Sequence, residues 1–217
     1  MKHTLVILQC CKRKNGSEEF PKKDFNLDIR LPKTKKILEA GIQKFSNMGI
    51  IDVKSKPITA LSRYNGHFYI TAGLKPKVAN EIKNGLSDFL IMSAGYGFVH
   101  PFQKIHNYDQ QMKGKITKYW LNTGLPKVLE EFIETGNYTR VYGFFSQSAD
   151  YKKIFENVNW NKIKDLYESG YFYIDGVRGA SKVLNLSASL LLKLLKNHFE
   201  TKLQSFKGSD VGFVKLH

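Results

Sequence analysis

The chain has 217 residues, with 34 Lys and Arg against 19 Asp and Glu, a formal charge of +15 and a pI near 9.6. That length supports one domain with a real core, and 42% hydrophobic with 13% aromatic residues excludes a disordered basic tail. No apolar run approaches the ~20 residues of a membrane span, and the opening nine residues lack the apolar stretch and cleavage site of a signal peptide, so the expected setting is cytoplasmic.

Residues 4–8 are a short apolar and β-branched run that ends in the polar stretch Cys10-Cys11-Lys12-Arg13-Lys14-Asn15-Gly16, the pattern of a buried strand releasing a basic loop. Residues 34–45 place Ile37, Leu38, Ile42 and Phe45 on one helix face just after Pro32. The stretch 57–71 is rich in turn formers and aromatics and is expected to be irregular. Residues 77–86 read as a helix and 88–92 as a second buried strand. Ser93-Ala94-Gly95-Tyr96-Gly97 then makes a glycine-punctuated turn into a loop that contains Pro101 and runs to about residue 111. The helical pattern of 116–134 is interrupted at Gly124 and Pro126. Residues 140–145 form a third strand, 150–158 a helix with Asp150 as its expected N-cap, and 171–174 a further strand. A last long helix spans 180–203, with Val183, Leu184, Leu186, Leu190, Leu191, Leu194 and Leu195 at helical spacing. Strands alternating with helices predict an α/β fold: a single layered domain over 1–217, with a mixed, partly parallel sheet flanked by helices.

The positive charge is uneven. Residues 1–36 hold ten Lys and Arg against four acids, and 102–118 add Lys104, Lys113, Lys115 and Lys118 against Asp109 alone. Nucleic acid is therefore the expected partner, ahead of an anionic membrane surface. The two cysteines are neighbours, too few for a disulfide framework and without zinc-site spacing. With no Walker-type loop, dinucleotide fingerprint or metal cluster in the sequence, no cofactor and no metal are expected. In open α/β sheets the ligand site gathers outside the carboxyl ends of the strands. Three unusual loops begin at such ends, after Leu8, Met92 and Phe145.

Each candidate residue has a chemical reading and a plainer one. Lys12 and Arg13 suit a phosphate where the first strand releases the chain, or form a solvated charge run. Gly95 and Gly97 allow backbone amides to approach a ligand, or make an ordinary turn. Tyr64, Tyr96 and Tyr108 can stack on an extruded base, for ~1–3 kcal/mol each, or pack in the core. His100 and His106 flank the same loop, but their spacing matches no metal motif. Asp109 is the one carboxylate of its basic loop, or an Asx turn. Arg178 precedes Gly179 at a helix start, where an anion would meet a guanidinium and helix amides; the plainer reading is a buried ion pair.

Taken together, Lys12, Tyr64-Asn65-Gly66, Ser93-Ala94-Gly95-Tyr96-Gly97 with Pro101 and Tyr108, Tyr119-Trp120, Ser146 with Asp150-Tyr151, and Arg178-Gly179 occur in the order found in YaaA-like proteins. The chain resembles that peroxide-stress, DNA-binding family over about residues 5–195. The Ser-x-x-Tyr-Gly-x-x-x-Pro stretch is the most specific part of the likeness. The chain is shorter than typical members and has Asp109 after Tyr108 where the stress proteins usually have Arg. The Tyr-Asp pair looks like a divergent branch resembling systems that handle modified bases in DNA. The resemblance implies an unusual α/β fold with a basic, DNA-facing cleft.

The expected function is that of a DNA-binding enzyme that extrudes a base, modified in its natural substrate, and cleaves its N-glycosidic bond. In that scheme Lys12, Arg13, Lys14, Lys104 and Arg178 hold phosphates. Tyr64, Ser93, Tyr96, His100, Tyr108 and Ser146 form the base pocket, and Asp109 stabilises the oxocarbenium-like sugar. A noncatalytic DNA-binding stress protein uses the same surface without chemistry, and a transferase acting on nucleotides or modified bases would add a small-molecule donor.

Overall fold

The computed structural model describes residues 3–17, 20, 30–146, 150–199 and 210–217. In chain order the strands are β1 (Thr4–Gln9), β2 (Ile51–Asp52), β3 (Ile58–Thr59), β4 (Ser87–Ser93), β5 (Gly97–Val99), β6 (Lys104–Ile105), β7 (Asn107–Tyr108), β8 (Arg140–Phe144), β9 (Glu168–Ile174) and β10 (Val211–Lys215). The helices are α1 (Lys35–Asn47), α2 (Ala60–Arg63), α3 (His67–Ile70), α4 (Leu74–Lys83), α5 (Lys115–Thr123), α6 (Leu125–Thr135), α7 (Tyr151–Glu156) and α8 (Ala180–Lys196).

Six strands make one sheet in the order β10-β9-β8-β1-β4-β5. The central four are parallel, with Leu8 opposite Ile91 on one side and Phe144 on the other. The flanking strands β5 and β10 are antiparallel to their neighbours. The mixed α/β architecture expected from the alternation is therefore present. Leu5, Val6, Ile7 and Leu8 are all fully buried although successive side chains point to opposite faces, so both faces of β1 are covered. That explains why β1 reads as a continuous apolar run and does not alternate.

Helices α3, α4 and α8 pack on one another, as do α1, α5, α6 and α7. The helical pattern of 116–134 resolves into α5 and α6, because Gly124 adopts φ 91° and Pro126 fits only the first turn of the new helix. Trp120 on α5 is fully buried, packs edge-on against Phe45 and donates its indole N–H to Ala94 O at 2.8 Å. Burying a ring of that size is worth about 4–6 kcal/mol at ~25 cal/mol per Å2, so α5 is pinned to the turn after β4.

Two helix starts are capped from a distance. The Glu131 carboxylate of α6 accepts the Thr34 N–H at 2.8 Å, the Lys33 N–H at 3.0 Å and the Thr34 hydroxyl at 2.6 Å, and so holds the entry to α1. Asp150 precedes α7 as expected, but its side chain makes no cap bond there. It accepts the Gly114 N–H at 2.8 Å and the Thr117 hydroxyl at 3.1 Å, and so caps α5. The ion pair with Lys153, together with these bonds, holds its carboxyl below the usual range.

Other departures have local causes. The stretch 57–71 is ordered as β3, α2 and α3, elements too short to show periodicity. Strand β5 lies inside the loop expected after residue 93, and β10 follows the last helix in a stretch with no sequence-level reading. Helix α8 ends at Lys196, and residues 200–203 of the expected helix lie outside the described residues.

Candidate functional site

The chain passes from β1 to β4 on one side and later crosses to β8 on the other, which makes the carboxyl ends of β1 and β8 a topological switch point. A cleft of about 770 Å3 opens there. Gln9, Cys10, Cys11 and Lys12 contribute from the end of β1, Ser146 from the end of β8, and residues 174–180 from the end of β9 and the start of α8. Phe68, Gln111, Met112, Lys113 and Tyr151 close the remaining wall with Val183 and Leu184. Two of the three loops singled out by the sequence thus meet at their starts, and the third, after Met92, reaches the cleft wall only at its far end, through Gln111.

Between β9 and α8 the chain turns through Asp175-Gly176-Val177-Arg178-Gly179. Gly176 at φ 68° and Gly179 at φ 97° bracket Arg178 with backbone that other residues rarely adopt. Asp175 anchors the turn: its N–H donates to Asp210 O at 2.8 Å, and its carboxylate accepts the Gly176 N–H at 2.9 Å. Arg178 is exposed with no ion-pair partner among the described residues, so it is not the buried structural pair of its plainer reading. The first backbone bond of α8 runs from Val183 N to Gly179 O. The N–H groups of Ala180, Ser181 and Lys182 find no acceptor among the described residues.

Gln9, 6% exposed, is the last residue of β1. Its Oε1 accepts the Ser146 N–H at 2.9 Å, which ties the ends of β1 and β8 together. An N–H can pair only with the amide oxygen, so this bond fixes which way round the side chain sits.

Most of the expected base pocket is closed core. Tyr64, Tyr96 and Tyr108 are 0%, 5% and 3% exposed, so none presents a ring face for a base to stack on. Tyr64 and Tyr108 share a hydroxyl hydrogen bond of 2.8 Å, and Ser93, fully buried, donates to the Tyr108 hydroxyl at 3.0 Å while accepting the Tyr96 N–H at 3.2 Å. Burial raises the pKa of Tyr64 and Tyr108 well above the phenol range and pushes Tyr96 up to about 12. Gly97 at φ 74° turns the chain where a side chain would strike Leu38 and Leu125, so the turn serves packing. His100 is buried with its Nδ1 accepting the Phe102 N–H at 3.2 Å, while His106 pairs through Nδ1 with Ser55 O at 2.7 Å.

The expected cations divide. Lys12 and Arg178 line the cleft, and Arg13 is exposed beside it in sequence. Lys104 is exposed on β6, away from the cleft wall. Lys14 is only 5% exposed, and its ammonium donates to Lys12 O and Gln110 O, both at 3.3 Å, 4.1 Å above the Tyr108 ring. Burial lowers its pKa, and its charge is spent on the main chain, out of reach of a phosphate. Asp109 is exposed after β7, with its N–H on Ile50 O at 3.3 Å, and is not part of the cleft wall. Among the described residues, the carboxylate that does line the cleft is Asp175.

Sequence reasoning took Tyr151 only as part of the family likeness and missed Gln9 and Asp175. The glycine-bracketed Asp175 to Gly179 turn ahead of a helix was the available signal for the last. The two thiols also face the cleft. Cys10 Sγ lies 3.0 Å from the Tyr151 hydroxyl, and Cys11 donates to Arg13 O at 2.9 Å while accepting the Gly66 N–H at 3.2 Å. Burial pushes the Cys11 thiol up to about 11, which leaves it a weak nucleophile at neutral pH. Among the described residues no three His, Cys, Asp or Glu side chains gather as a metal site requires, and no helix is long and apolar enough to cross a membrane. No protein-family model matches the chain, and no curated protein matches it.

Proposed function

We propose that the chain is a DNA-binding enzyme of YaaA-like type, working in the cytoplasm, that draws an extruded nucleotide into the switch-point cleft and hydrolyses its N-glycosidic bond. The observation that carries this reading is one cleft holding Lys12, Lys113 and Arg178, the partly exposed apolar Val183 and Leu184, and the carboxylate of Asp175. Cations suit the phosphates, the apolar wall suits a base, and an ionised carboxylate stabilises a cationic sugar. In the reaction the C1′–N bond breaks, water supplies hydroxide to C1′, and its remaining proton goes to the departing base. Asp175 takes the role first expected of Asp109, because it is the carboxylate on the cleft wall.

Burial of Tyr64, Tyr96 and Tyr108 favours the second reading, a noncatalytic DNA-binding protein, because it removes the expected stacking platform. Two measurements decide between them. Incubation with differently modified genomic DNAs, read by mass spectrometry of released bases, is expected to yield free base with the parent and none with Asp175→Asn, while Asp109→Asn retains release. Absence of base from every DNA, with duplex affinity that falls steeply as salt rises, leaves the binding protein. A flat salt dependence removes nucleic acid altogether.

A further inference from the structure

The Gln9 side chain is more than nine-tenths buried, yet only half of its amide is used. With Oε1 held by the Ser146 N–H, the Nε2 donors have no acceptor among the described residues, and the residue forms part of the cleft wall. A ligand or water in the cleft can accept from them. Across the same cleft, α8 presents three N–H groups without an acceptor among the described residues and the positive end of a 17-residue helix. Arg178 stands at that helix start, and Lys12 follows the strand that carries Gln9. Strands β1 and β9 are separated only by β8, about 10 Å at the usual strand spacing, so one tetrahedral anion and the side chains reaching it can bridge the gap.

We infer that this wall is a phosphate subsite for a single nucleotide, with Gln9 Nε2 and the first turn of α8 donating to the phosphate oxygens and Arg178 neutralising their charge. The nucleotide's apolar portion then lies toward Val183 and Leu184. Asp175 does not oppose the anion with both oxygens, because its Oδ1 is turned to the Gly176 N–H. The cleft's volume of about 770 Å3 lies within the range of small-ligand sites, so the nucleotide can be free or part of a strand. The inference rests on the reading of the cleft as a nucleotide site, but not on base release.

The test is calorimetric titration of the full chain with a deoxynucleoside 5′-monophosphate, the matching nucleoside and a short single-stranded oligonucleotide. The monophosphate is expected to bind about tenfold or more tightly than the nucleoside. Gln9→Glu keeps an oxygen for the Ser146 N–H while replacing the donor with a negative charge, so it should remove that advantage and leave the thermal midpoint near the parent's. Arg178→Ala should reduce the same advantage about tenfold. Equal affinity for monophosphate and nucleoside overturns the subsite, and so does Gln9→Glu binding the monophosphate as the parent does. Binding of the oligonucleotide alone overturns a site for single nucleotides while the DNA reading stands. Monophosphate binding without base release from any DNA keeps the subsite and defeats the glycosylase.

Discussion

The turn after β4 and the turn after β9 are both glycine-punctuated loops at strand ends, yet they have opposite fates. The first is sealed: Tyr64, Ser93 and Tyr108 satisfy one another's hydroxyls in a buried cluster, Tyr96 donates its N–H to Ser93 and accepts the His106 N–H on its hydroxyl, and Trp120 fastens the turn through Ala94. The second is open: Arg178 is exposed, three α8 amides lack acceptors among the described residues, and the backbone is set by two glycines. A motif dense in tyrosine and glycine therefore marks where the fold is held, while a plainer Asp-Gly-Val-Arg-Gly stretch marks where a ligand can be held.

The largest expected effect tests the sealed side. Tyr108→Ala removes a buried ring and strands the Tyr64 and Ser93 hydroxyls, at a cost of about 3–5 kcal/mol in urea unfolding. A loss below about 1 kcal/mol would mean that the cluster is not holding the fold. Cys11 sits on the border between the two regions, lining the cleft while half-buried. Its folded pKa, raised from 9.0 to about 11, means that the folded chain keeps the thiol proton more tightly than the unfolded chain does. Its contribution is fully present below pH 9 and is lost as pH rises toward 11. The loss is at most about 2–3 kcal/mol relative to Cys11→Ser across that window. Parallel pH–stability curves for the two proteins would place Cys11 in open solvent instead.

Smaller still is the cap. Glu131→Gln keeps part of the hydrogen bonding at the start of α1 but loses the charge, and about 1 kcal/mol is expected by denaturant midpoint. Least of all, Arg178→Ala should leave unfolding unchanged within about 0.5 kcal/mol, because the side chain is exposed and makes no ion pair among the described residues. A large loss there would erase the distinction between the two turns.

How much of this was legible in the sequence follows from the physics of each element. The parallel strands were readable because burial on both faces leaves uninterrupted apolar runs, as in residues 5–8. Helices α1 and α8 were readable from their period. Elements α2, α3 and β5 were not, since three or four residues carry no period. Lys12 and Ser146 were found because strand ends collect ligands, a rule of topology that needs only element order, and Arg178 because it stands at a helix start. The tyrosines misled because a ring that stacks on a base and a ring that packs on a neighbour are written with the same letter. Gln9 was invisible for the converse reason, since its unused donor exists only once Ser146 has claimed its oxygen.

Strand β10 joins the sheet only along β9, and the carbonyl of Asp210 at its entry holds the N–H of Asp175. The rim of the sheet is therefore also a mooring for the cleft. An exchange of β10 between two copies would leave each six-stranded sheet complete, yet it would make the cleft turn of one molecule depend on the backbone of the other. Concentration would then set the rigidity of the Asp175 to Gly179 turn without altering a single residue in the cleft.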